Sequence, residues 1–181
     1  MPRPCLEGEG VMSLVARLQP LVETVAEMEA AADGRYEEGK KLVQEGYFHA
    51  GIYLLGYAAE IWLKTALCRV DAALMPTDTV DAHIGPARYR WQRLFGGRPP
   101  SGHDLLFLAL ALEDERRLAA KPQLDAVSPV LSRIFNAIIG LLYDHWFVEM
   151  RYRRQDASAE EAQKVVDSVE WLKNNYLFLW S

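Results

Sequence analysis

Arginine forks bind phosphate and aromatic faces stack on bases, and this chain mixes the two in two places. The first stretch is Arg88, Tyr89, Arg90, Trp91, Arg93 and Phe95, with Arg98 just beyond and no acid among them. The second is Arg151, Tyr152, Arg153 and Arg154. Both suit single-stranded nucleic acid or a nucleotide. The same residues serve equally well as a clamp, with the rings packed on the fold and the arginines in water. Arg88, Arg90, Trp91, Arg93, Arg151, Tyr152 and Arg153 are therefore candidate nucleic-acid or nucleotide contacts.

A third constellation is a charge pair inside an apolar run. Glu60 and Lys64 lie four apart in the stretch from Gly46 to Val70. Glu before Lys at that spacing favours an intrahelical salt bridge, worth about 0.2–0.5 kcal/mol when exposed. A solvated flank is one reading. Because Tyr57, Ile61 and Trp62 are large and apolar, a groove or dimer seam formed by Tyr57, Glu60 and Lys64 is the other.

The remaining chemistry is sparse. His49, His83, His103 and His145 are scattered. His145 and Glu149 share a helical face, but a metal usually needs three or four protein ligands, so no metal and no cofactor is expected. Gly34-Arg-Tyr-Glu-Glu-Gly39-Lys40-Lys41 mimics a phosphate-binding loop. It has Lys41 where a magnesium-ligating hydroxyl belongs and no strand before it, so we reject it.

The elements that must position these residues are helical. Ala50, Leu54, Ala58, Ile61, Thr65 and Cys68 recur at spacings of three and four, predicting a core helix over about 47–70. Before it, the pattern predicts a helix from Val11 to Ala32, kinked at Pro20, a break at Asp33-Gly34, and a short helix from Tyr36 to Glu45. After it, prolines and glycines leave 71–102 as a long loop. Helices resume at His103–Ala119 and at about 125–147, where Ser128-Pro129 fits an N-cap with proline in the first turn. Glu149–Ala157 reads as a polar, basic connection. Ser158 with Glu161 three residues on is a capping box that opens the last helix. No alternating strand pattern occurs. The expected fold is all-α, an antiparallel up-and-down bundle of four to five main helices.

Totals agree with a single domain over 11–181 behind a flexible tail at 1–10. The chain has 181 residues, half hydrophobic and a quarter charged, with a formal net charge of −5. That charge opposes nonspecific coating of DNA but leaves room for a local basic patch. No run reaches the roughly 18–20 apolar residues of a membrane span. Cys5 and Cys68 are expected as free thiols in a reducing cytoplasm.

Three features in order carry a family resemblance: Ala50…Tyr57-Ala-Ala-Glu60-Ile-Trp-Leu-Lys64-Thr-Ala-Leu, then Gly102-His103-Asp104-Leu105, then a late Arg151-Tyr152 before the capped terminal helix. Over roughly residues 34–180 the chain resembles the HEPN family of prokaryotic helical-bundle proteins. The resemblance implies a dimerising bundle. Many members are metal-independent ribonucleases of toxin–antitoxin or phage-defence systems, using an Arg-x(4–6)-His motif. Others lack the motif and bind RNA or a partner, often a nucleotidyltransferase. Here no histidine follows Arg151–Arg154, where the motif is expected. The leading expectation is thus a non-catalytic module that binds RNA, a nucleotide or a partner protein, as a homodimer. Arg98-Pro-Pro-Ser-Gly-His103 does satisfy the spacing, so a ribonuclease using Arg98 and His103 is the second reading. A purely structural assembly protein is the third. In the leading reading, His103 starts its helix and either contacts the Arg151-Tyr152 region or caps the bundle.

Overall fold

The computed structural model describes residues 24–70, 81–98, 100–152 and 157–181, save the side chains of 81–83 and 151. Helix α1 is Val25–Gln44 and α2 is Phe48–Val70; α3 is Asp81–Phe95 and α4 is Leu105–Leu118. A one-turn helix α5, Leu124–Val127, precedes α6, Pro129–His145. A 3₁₀ turn, Val148–Tyr152, leads towards α7, Ala159–Asn174, and a last turn α8, Tyr176–Trp180. No strand occurs among the described residues, so the chain is all-α. No helix among them is long and apolar enough to cross a membrane. The expected tail, the Pro20 kink, Cys5, Arg153 and Arg154 lie outside the described residues.

Helix α2 is the element the others cover. It is apolar over most of its surface, and 15 of its 23 residues are buried. Ile52, Leu55, Ala58, Ala59, Leu63, Ala66 and Cys68 have almost no exposure. Helices α1, α4 and α7 all pack against it. Two glycines let α1 approach closely: a Cβ on Gly51 would lie 2.5 Å from the Val43 side chain, and one on Gly39 2.9 Å from Leu55. Gly56 does the same for Trp146, whose ring would lie 2.2 Å from an added Cβ. Burial pushes the Cys68 thiol from its ordinary 9.0 up to about 12. Stability from this group is therefore complete below pH 9 and is lost as pH rises towards 12. In a Cys5→Ser background, Cys68 should resist a thiol reagent at pH 8 until the protein unfolds, as labelling rates would report.

Two boundaries differ from the pattern. Gly34 does not interrupt α1. It sits with no neighbour within 4 Å of an added Cβ, on the outer face, while Ala32 and Tyr36 are buried. An exposed mid-helix glycine costs only about 1 kcal/mol, which the buried face and the Thr24–Glu27 capping box offset. The P-loop mimic is thus helix. Residues 71–102 are not one long loop, because 81–95 form α3. Ile84 and Ala87 are buried and Trp91 half-buried on one face, the helical spacing that Gly85, Pro86 and the arginines concealed. The Ser158 capping box is present, with its hydroxyl accepting from the Glu161 backbone N–H at 3.2 Å. Ser158→Ala should cost about 1 kcal/mol in a denaturant titration, and Ser158→Gly a few tenths.

Candidate functional site

Glu60 is the one carboxylate among the buried described residues, 1% exposed at the middle of α2. A charge so placed must be paired and hydrogen-bonded. One partner is its own helix neighbour, Lys64, with Nζ 2.6 Å from Oε1 and a side chain 16% exposed. The other is His103, whose Nδ1 lies 3.0 Å from both carboxylate oxygens. The imidazole is 42% exposed. Its position follows from local structure. Asp104 accepts from the Phe107 backbone N–H at 3.0 Å and so caps α4 one residue after His103. The His103 backbone N–H in turn donates to Ser101 Oγ at 3.2 Å.

The chemistry of this pair is defined. An ionised carboxylate only accepts, so the hydrogen of this bond lies on Nδ1. Nε2 makes no hydrogen bond among the described residues. A carboxylate that fixes a ring's tautomer and orientation, with the other nitrogen free, is the supporting half of a general-base centre.

His103 lines a cleft of about 350 Å³ with Ser101, Asp104, Tyr143, Phe147 and Glu149. Trp146 closes one wall and is held there by its Nε1–H, which donates to the Tyr53 carbonyl at 3.0 Å.

The arginine-rich stretch does different work. Arg88 donates from Nε to the Pro100 carbonyl at 2.9 Å, tying α3 to the segment that leads to His103. Arg90 is paired with Asp114, at 3.4 Å, and with Glu115, which fastens α3 to α4. Trp91 packs on Phe95 at 4.4 Å and edge-on to Phe107 at 5.7 Å between centroids. Of the rings in the clamp reading only Trp91 is packed on the fold, since Tyr89 and Phe95 are exposed, and Arg88 and Arg90 are bonded to the fold rather than left in water. Arg93 and Arg98 are exposed. Arg151 lies in the 3₁₀ turn, and Tyr152 beside it is exposed. Tyr57 is half-buried and stacks on Tyr53 at 6.3 Å.

His103 sits just before its helix, one residue ahead of the Asp104 cap, and its partner is Glu60. That pairing spans 43 residues and was missed. The available signal was α2 itself: a helix so largely apolar leaves little solvated flank for a glutamate. His145 donates from Nδ1 to the Leu141 carbonyl at 2.8 Å. Among the described residues no three His, Cys, Asp or Glu side chains gather as a metal site. No family model, curated protein or solved structure matches the chain.

Proposed function

We propose that this chain is a HEPN-like antiparallel up-and-down bundle of the cytoplasm that acts on RNA, with His103 as the working group. The observation that supports it is the buried Glu60 carboxylate holding His103 Nδ1 at 3.0 Å. Binding alone has no need of a fixed tautomer; proton transfer does. This moves the weight from a non-catalytic module to the ribonuclease reading. His103 Nε2 takes the proton of a 2′-hydroxyl as O2′ bonds to phosphorus and the P–O5′ bond breaks. The 5′-oxygen takes its proton from solvent, leaving a 2′,3′-cyclic phosphate. Exposed Arg98 supplies the phosphate-facing charge that the resemblance implies. A toxin–antitoxin or defence role follows from the same resemblance.

The test is incubation of the pure protein with varied single-stranded RNAs in excess chelator, with mass spectrometry of the ends. Cyclic phosphate ends support the reading. Intact RNA, bound or unbound, sinks it, and bound intact RNA restores the non-catalytic module.

Assembly is the second reading, as a homodimer or with a nucleotidyltransferase-type partner. Val130 and Ile134 on α6, and Leu94 and Phe95 on α3, are exposed large apolar side chains that favour it. Light scattering that finds a monomer at micromolar concentration would remove the homodimer.

A further inference from the structure

The cleft beside His103 has a composition that phosphate chemistry does not explain. Among the described residues its carboxylates are Asp104 and Glu149. The Asp104 carboxylate is already used as the cap of α4. Glu149, exposed in the 3₁₀ turn, makes no hydrogen bond or ion pair among the described residues. Tyr143, on the last turn of α6, is 50% exposed and presents an aromatic ring to the same cleft. The volume, about 350 Å³, lies at the lower end of the range of small-molecule sites.

A flat ligand with an apolar face and hydrogen-bond donors on its edge matches these walls. Nucleobases have that form, and stacking on an aromatic ring holds any of them. The edge separates them. A carboxylate offers two acceptors and no donor. Guanine presents two adjacent donors, N1–H and the 2-amino group. Adenine and cytosine place a ring-nitrogen acceptor beside their amino group, and uracil flanks its N–H with two carbonyls. Each of these sets a lone pair against one carboxylate oxygen.

We infer that the cleft is a guanine subsite, in which Tyr143 stacks the base and Glu149 accepts from its N1–H and 2-amino group. The inference rests on the RNA reading above and names the base that reading leaves open. It places a guanosine next to the bond at His103.

Equilibrium dialysis of the full chain against the four nucleoside 5′-monophosphates tests it apart from cleavage. GMP should bind about tenfold or more tighter than AMP, CMP or UMP. Glu149→Gln, an exposed change, should bring GMP to within about twofold of the others, because an amide supplies one acceptor rather than two. Tyr143→Ala should weaken all four by about tenfold. Equal binding of the four, no binding, or a GMP preference that survives Glu149→Gln would overturn the subsite. RNA cleavage without guanosine preference would leave the RNA reading standing while removing the subsite. GMP-selective binding by a protein that leaves RNA intact would do the reverse.

Discussion

His103→Ala should lower the cleavage rate of single-stranded RNA by about two to four orders of magnitude, the usual contribution of one positioned acid–base group. The side chain is 42% exposed and stands outside the core, so the fold should survive its removal. RNA affinity should change little, since the imidazole contributes one contact among several. Rate constants under single turnover, with affinity measured separately by filter binding, separate the two effects. A variant that cleaves within about threefold of the natural protein would show that the base lies elsewhere. Unchanged unfolding transitions would confirm that a lost rate is a chemical loss.

Glu60→Ala should be the most damaging single change to stability in the site, costing about 3–5 kcal/mol. The substitution leaves the Lys64 ammonium, 16% exposed, without its partner in a buried setting. It also leaves a void in the middle of α2. For a chain of this length the thermal midpoint should fall by roughly 10 °C. Glu60→Gln should cost less and say more. An amide fills the space and can still accept from Lys64, but its N–H can now donate to His103 Nδ1. The ring then carries its hydrogen on Nε2 and ceases to be a base there. Cleavage should fall by about a hundredfold or more in a protein that remains folded. Replacing both members together, Glu60→Leu with Lys64→Met, should recover most of the stability without the activity, because an apolar pair removes the stranded charge. Thermal unfolding of the four proteins distinguishes this from a simple packing defect, in which the double variant would be the least stable.

What the sequence reveals of this fold depends on the range of the interaction. Local rules located α2 to within a residue, and Ser158 with Glu161 located the start of α7, because capping acts over three residues. The same rules failed where punctuation outweighed pattern. Gly34 reads as a break, yet exposure makes it cheap within a helix whose inner face is buried. Gly85 and Pro86 read as loop, while Ile84, Ala87 and Trp91 already held the spacing of a packed helix face. Long-range pairing was least legible. Glu60 and Lys64 stand out by type and order, but nothing local points from Glu60 to a histidine 43 residues on. Likewise Arg88 and Arg90 carry the chemistry of phosphate contacts. Only their bonds to Pro100, Asp114 and Glu115 give them the work of holding α3 to α4 and to the segment before it.

The state of the His103 ring can be read directly. Long-range ¹⁵N–¹H spectra of the His103 imidazole should be recorded before and after addition of a 2′-O-methyl RNA that cannot be cleaved. The prediction is a hydrogen on Nδ1 in the free protein, and an Nε2 resonance that moves when RNA binds. A ring with its hydrogen on Nε2, or one that RNA leaves unmoved, would contradict it.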